Sequence, residues 1–141
     1  MLKSDTIDKI KKRFFMKFDM VTPLLGFEDI KQVELQKIDD IFMRMQSVLD
    51  ENISFTLVNP YVLREYDFEV PKNLKEELEI TVDSNILIYN ILLIQNPIED
   101  SIVNFIGPLV FNSDVNKAAQ IILADSREYS VAEKISSFLK K

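Results

Sequence analysis

The sequence contains no histidine and no cysteine, the side chains on which most catalytic and metal sites of small proteins depend. Zinc sites of the usual nitrogen and sulfur kind are therefore excluded, as are nucleophilic devices that pair serine or cysteine with histidine. With only two glycines, the chain also cannot form a glycine-rich phosphate-binding loop. Any catalysis would have to use carboxylates, lysines, tyrosines or a hard metal ion.

Paired carboxylates are the remaining residues that could act as acid and base. They occur at Asp39-Asp40, Glu76-Glu77 and Glu99-Asp100. Nothing in their spacing brings two pairs to one place, and such pairs are typical of a solvated surface. No calcium-loop pattern is present either. We therefore predict no metal, no cofactor and no enzymatic activity.

Charge is unevenly distributed along the chain. Residues 1–17 contain six Lys or Arg and two Asp, whereas the rest contains eleven basic and twenty-one acidic residues. An acidic body repels nucleic acid and favours a basic protein partner. The basic leader, residues 1–13, could contact RNA or an anionic membrane. The alternation of Phe14, Met16, Phe18 and Met20 instead favours a charged leader that runs into a strand.

An aromatic and acidic corner follows one predicted strand, in residues 55–70, FTLVNPYVLREYDFEV. Rigid rings beside carboxylates are typical of binding hot spots. We predict partner contacts here from Tyr61, Glu65, Tyr66, Asp67 and Glu69. Replacing Tyr66 by alanine together with Asp67 by lysine is expected to weaken a complex and leave the fold intact.

The periodicity of the remaining chain predicts a single domain over residues 1–141. Alternating or continuously apolar runs predict strands, although residues 41–48 would also suit a short helix and the nearly continuous apolar run of residues 85–94 would also suit a helix. The strand segments are Phe14–Val21, Lys31–Gln36, Ile41–Val48, Ile53–Val58, Asn85–Ile94, Ile102–Asn112 (bent at Gly107-Pro108) and Ala118–Leu123.

Two short helices complete the prediction. Leu74 and Leu78 after Pro71 indicate a short helix near residues 72–80. Ser130 as a cap, with Glu133 three residues on, indicates a C-terminal helix over residues 131–141. The fold class is mainly β, a small single-domain antiparallel barrel-like fold. We interpret Phe27, Phe68 and Phe105 as core residues.

Segments for targeting or membrane insertion are not apparent in the sequence. No run approaches the roughly 18 apolar residues needed to cross a bilayer, and the first residues lack a signal-peptide pattern. Together with the absence of cysteine, this predicts a cytoplasmic protein without a membrane partner.

Three stretches occur in an order and spacing that resemble the family of flagellar assembly factor FliW. They are LLGFEDIKQVEL, then FTLVNPYVLREYDFEVP, then VNFIGPLVFN followed by AQIILADSREYSV. The resemblance covers roughly Pro23 to the end. The matching positions are Gly26, Phe27, Glu28, Asn59, Pro60, Tyr66, Phe68, Asn104, Pro108, Asn112, Asp125, Ser126, Tyr129 and Ser130.

The resemblance implies a non-enzymatic protein with two partners. One is cytosolic flagellin, and the other is the basic translational repressor CsrA. Mutually exclusive binding of the two would couple flagellin synthesis to export. Glu28, Arg127 and Tyr129 join the candidate contact residues on this basis. The alternative is an acidic binding module for a different basic protein.

Overall fold

The computed structural model of the protein describes residues 15–124 and 128–139, so the predicted leader and Arg127 lie outside the described residues. Within these residues, three short α-helices, α1 (Pro60–Leu63), α2 (Lys72–Glu77) and α3 (Ser136–Leu139), accompany nine strands. The strands are β1 (Phe15–Met20), β2 (Gln32–Lys37), β3 (Phe42–Ser47), β4 (Ser54–Val58), β5 (Ile86–Leu93), β6 (Ile102–Val103), β7 (Leu109–Asn112), β8 (Lys117–Gln120) and β9 (Glu133–Lys134).

Seven of these strands close into a barrel in the order β1-β2-β3-β4-β5-β7-β8. Every neighbouring pair is antiparallel except β1 and β8, where Asp19 lies opposite Lys117. When an odd number of strands alternate in direction, the first and the last run the same way. A seven-stranded barrel of this kind therefore closes through one parallel pair. The predicted barrel-like fold is confirmed with that addition. Outside the barrel, β6 pairs with the end of β5, and β9 pairs with β6.

The barrel interior is the largest of three apolar cores. Alternation along β2 and β3 directs Val33, Leu35, Met43 and Met45 inward, where all four are buried. The rings of Phe18 and Phe111 also meet there edge to face, with centroids 5.0 Å apart. Because the interior is filled by side chains, any ligand surface must lie on the outside of the barrel.

An outer layer covers the face formed by β5, β7 and β8. Val110 on β7 points outward and packs with Leu74 and Leu78 of the α2 segment. This confirms the predicted short helix and its spacing. Asn112 Nδ2 donates to the carbonyl oxygen of Leu78 at 2.8 Å, which fixes the end of the α2 segment on the sheet. The connection between β4 and β5 is therefore a structural cover for the barrel.

The predicted C-terminal helix over residues 131–141 is wrong in its first half. The backbone N–H of Ser130 donates to Glu133 Oε2 at 2.9 Å, as a helix-start motif would. However, Glu133 and Lys134 form β9 against β6, and a helix begins only at Ser136. Pairing with an available strand outweighs a local capping preference because it satisfies main-chain groups of both partners.

Candidate functional site

The Tyr66 corner, residues 59–70 with the Tyr129 side chain, is organised around a buried phenol. Tyr66 is only 6% exposed, and its hydroxyl donates to the carbonyl oxygen of Phe105 at 2.6 Å. The same hydroxyl accepts from Asn90 Nδ2 at 3.1 Å. Burial raises the pKa of Tyr66 well above its usual value. We therefore expect replacement of Tyr66 by alanine to destabilise the fold, which replaces the expectation from the sequence that this change leaves the fold intact.

Arg64 ties the Tyr66 corner to the C-terminal segment. Its guanidinium lies over the rings of Phe105, Tyr129 and Phe138, with the carbon 5.5, 4.9 and 5.8 Å from the ring centroids. Arg64 Nη1 also lies 3.0 Å from Glu133 Oε1 in β9. A planar guanidinium is suited to this combination of stacking and ion pairing. Arg64 thus holds residues 128–139 against the outside of the barrel.

The predicted contact residues of the corner separate into buried and exposed groups. The carboxylates of Glu65, Asp67 and Glu69 are exposed, and the Tyr61 side chain is about half exposed. Tyr129 is partly buried, and its hydroxyl accepts from the Asp67 N–H at 3.0 Å and donates to the Asp67 carbonyl oxygen at 3.2 Å. The exposed carboxylates form the acidic outer edge of the corner, whereas Tyr66 and Tyr129 shape its packed interior.

A separate apolar surface lies where β4 and β5 leave the barrel. It consists of two grooves of 610 Å³ and 570 Å³ that share Thr56, Leu92 and Ile94, and we call it the double groove. Of the twelve exposed large hydrophobic side chains among the described residues, seven line it. These seven are Leu25, Phe27, Ile38, Leu93, Ile94, Ile98 and Val131. Apolar side chains concentrated in this way mark a binding surface.

The turn between β1 and β2 forms one wall of the double groove. Phe27, which we predicted to be a core residue, is 42% exposed, so that prediction is wrong. Its ring contacts the edge of Phe55, with centroids 4.9 Å apart. Gln120 Oε1 accepts from the Leu25 N–H at 2.8 Å and so anchors the turn to β8. Glu28, the other candidate in this turn, is exposed beside the groove.

Most of the double groove was not apparent in the sequence. Leu25, Leu93, Ile94 and Ile98 look like ordinary core residues in a linear pattern. One signal was available, since NILLIQNPIED continues apolar residues past the end of a strand into a turn. By contrast, the prediction that Phe105 is a core residue is confirmed by its complete burial.

The described residues include no group of three acidic side chains placed to hold a metal ion. Among the helices that the structure describes, none has the length and apolar character required to cross a bilayer.

Barrel and surface together define a class of protein: a small closed β-barrel that carries an external apolar groove and an acidic corner. Comparison with known proteins gives the family. The sequence model described as FliW protein matches residues 3–135, and this chain belongs to the FliW family.

Several relatives carry the name flagellar assembly factor FliW. The protein from Sulfurimonas denitrificans is 63% identical over 89% of this chain and 100% of its own length. FliW 2 of Wolinella succinogenes is 44% identical over 87% and 92%, and the Campylobacter lari protein is 40% identical over 89% and 98%. A crystal structure of the flagellar assembly factor FliW superposes with a TM-score of 0.74 at 25% identity, covering 88% of this chain and 86% of that one.

Proposed function

We propose that this protein is a cytoplasmic flagellar assembly factor that binds flagellin before its export. We further propose that it binds a CsrA-type translational regulator in a mutually exclusive manner, so that export of flagellin frees it to relieve repression. It acts by occupancy and not by catalysis. The observation that carries flagellin binding is the double groove, and the names of the relatives direct it toward flagellar assembly.

Flagellin suits the double groove because its terminal segments bury apolar stripes only after assembly into the filament. Before export these stripes need shelter from water. Seven exposed apolar side chains provide a matching surface, and removal of their apolar area from water favours association, offset in part by the entropy lost on binding. Because the groove walls come from separate parts of the chain, they can contact an apolar side chain of the partner on more than one side.

Flagellin binding can be tested by placing one charge in each groove. We expect the double variant Leu25→Asp with Ile98→Asp to bind purified flagellin at least about tenfold more weakly, because each aspartate must be desolvated in an apolar contact. Both positions are exposed, so the fold should tolerate the changes. Isothermal titration calorimetry of the two purified proteins measures the effect.

Val82→Asp is the matched control, since Val82 is a fully exposed apolar residue outside both grooves. Its affinity for flagellin should equal that of the wild-type protein. Equal loss in the control and the double variant would show that the double groove is not the flagellin site. Absence of wild-type binding to flagellin would favour the alternative, an acidic module for a different basic partner.

The acidic surface supports the second partner. Glu65, Asp67 and Glu69 are exposed on the Tyr66 corner, and the chain carries a net charge of −6. Complementary charge accelerates the encounter with a basic protein and has less effect on affinity. A CsrA-type regulator is basic because it binds RNA, so its charge complements this corner.

We expect association with a CsrA-type regulator to slow as salt is raised, because screening shortens the range of attraction. Changing Glu65, Asp67 and Glu69 to lysine should lower the association rate and flatten its salt dependence. Stopped-flow fluorescence gives both quantities. A variant with Glu76, Glu77 and Glu79 changed to lysine has the same net charge and is the control. Identical association rates in the two variants would show that the Tyr66 corner is not part of the encounter surface. A separate competition titration of the regulator complex with flagellin tests whether the two partners exclude each other.

A further inference from the structure

Within the double groove, strands β4 and β5 stop pairing before they end. Their register continues from Val58 opposite Asn90 to Thr56 opposite Leu92 and goes no further. Yet β4 begins at Ser54, and β5 ends at Leu93, with Ile94 directly after it at the groove wall. Phe55 opposite Leu93 would be the next pair in the register, and Ser54 opposite Ile94 would be the next hydrogen-bonded pair. The pairing of these two neighbouring strands therefore ends at the second groove, which Ser54, Phe55, Leu93 and Ile94 line, and we call this place the opening.

In a β-strand, the main-chain N–H and C=O groups of successive residues point alternately to the two neighbouring strands. This alternation shows which way the main-chain groups at the opening point. Ser47 N–H donates to the Ile53 carbonyl oxygen at 3.0 Å, and Asn59 N–H donates to the Ile41 carbonyl oxygen at 2.8 Å. Odd-numbered residues of β4 thus direct their main-chain groups toward β3. Ser54, which is even-numbered, directs its N–H and carbonyl groups toward the opening.

The main-chain groups of β5 alternate in the same way. Asn104 N–H donates to the Ile91 carbonyl oxygen at 3.0 Å, on the side away from β4. Main-chain groups of Leu92 face β4, and continuing this alternation one residue past the end of β5 at Leu93 directs those of Ile94 toward the opening. In the part of the chain that the structure describes, no strand pairs with Ser54 or Ile94 across this opening. Unpaired strand groups beside apolar side chains form a template for an added strand.

From this geometry we propose that the opening between β4 and β5 binds an extended segment of a partner protein by strand addition. The segment would pair with Ser54 and Ile94 and place alternate apolar side chains against Phe27, Phe55 and Leu93. The proposal deepens the proposed function, on which it rests, by stating the conformation in which a flagellin segment is held.

The charge around the opening further defines the occupant. Exposed acidic residues are close in sequence to residues that line it, with Glu28 and Asp29 after Phe27, and Asp50 and Glu51 shortly before Ser54. A segment flanked by Lys or Arg would be attracted, and one flanked by Asp or Glu would be repelled. The occupant is therefore an alternating apolar stretch with basic ends.

Two substitutions at one position separate main-chain pairing from side-chain contact. Ser54→Pro removes the N–H that points into the opening, whereas Ser54→Ala keeps it. Proline is tolerated at the first residue of a strand, and this N–H is not bonded to β3. By calorimetry with flagellin we expect Ser54→Ala to bind like wild type and Ser54→Pro about tenfold more weakly, the loss of one main-chain hydrogen bond.

Equal binding by Ser54→Pro and Ser54→Ala would overturn strand addition, because a helix resting on the apolar side chains does not need the N–H. Should Ser54→Pro fail to fold, Ile94→Pro against Ile94→Ala makes the same comparison on the opposite wall. Sedimentation velocity of the protein without flagellin tests whether a second copy of the protein occupies the opening instead. A dimer that Ser54→Pro dissociates would assign the opening to a second copy and overturn the proposal.

A synthetic peptide distinguishes this inference from the proposed function. The probe has alternating valine and threonine with a lysine at each end, and its titration is followed by nuclear magnetic resonance. We expect the amide resonances of Ser54 and Ile94 to shift, and we expect main-chain contacts between peptide and protein that are typical of paired strands. Binding of the peptide without binding of flagellin would refute the proposed function alone. Unshifted Ser54 and Ile94 amides at saturating peptide would refute strand addition.

Discussion

Replacement of Tyr66 by alanine is expected to lower the free energy of unfolding by about 3–5 kcal/mol, the range for large aromatic-to-alanine changes in a core. The ring contacts Phe68, Phe105 and Tyr129 at centroid distances of 5.3, 5.3 and 4.8 Å, so its removal opens a cavity among other rings. Because a domain of this size has only about 5–15 kcal/mol of stability, the change should remove a large part of it. Urea denaturation measures the change.

Tyr66→Phe separates the hydroxyl from the ring. It keeps the packing and removes the bonds to the Phe105 carbonyl oxygen and Asn90 Nδ2. The loss should be about 1–3 kcal/mol, because a buried polar group is left without a partner. An alanine variant as stable as the phenylalanine variant would contradict the structural role assigned to the ring. The test of partner contacts at this corner therefore uses the exposed carboxylates instead.

Replacement of Arg64 by alanine is expected to loosen the C-terminal segment, at a cost of about 2 kcal/mol in stability. The change removes one cation that contacts three rings and leaves Glu133 partly buried without its ion-pair partner. Since Ile135 lines the first groove, a loose segment should also weaken binding there. Arg64→Lys keeps the charge without the planar stack and should have an intermediate effect.

Hydrogen exchange gives a local measurement of this loosening. The Ile135 N–H donates to the Ser101 carbonyl oxygen at 2.8 Å, and the Phe105 N–H donates to the Ser130 carbonyl oxygen at 3.0 Å. Both amides should exchange faster in Arg64→Ala, while amides in β2 and β3 stay protected. Arg44→Ala, which removes an exposed arginine from β3, is the control. Unchanged exchange at Ile135 would show that β9 and α3 do not depend on the Arg64 contacts.

The strands were predictable because their signal is local. Apolar alternation in β1 to β4 depends on neighbours two residues apart, so the sequence places each of these four strands to within about two residues. The predicted single strand Ile102–Asn112 is wrong, since the chain leaves the sheet after β6 and returns to it as β7. Asn59 likewise ends β4 as expected and accepts from the Tyr61 N–H at 3.0 Å. β9 was not predicted because its formation depends on a distant segment: its pairing partner β6 lies some thirty residues earlier in the chain.

The candidate site was predicted less completely than the fold. The exposed carboxylates of the Tyr66 corner lie together as expected, since they are neighbours in sequence. The double groove combines the β1–β2 turn, the ends of β4 and β5, and the C-terminal segment. No periodicity links segments so far apart, so its location was not accessible to sequence reasoning.

By itself, the sequence determined that this is an acidic, mainly β chain without histidine or cysteine, and its ordered motifs pointed to the FliW family. Tertiary structure alone decided which aromatic residues are covered. Tyr66 is buried and Phe27 is exposed, although the sequence suggested the reverse. The physical reason is that a side chain's burial depends on which distant segment packs over its strand, whereas strand formation depends mainly on the residues nearby.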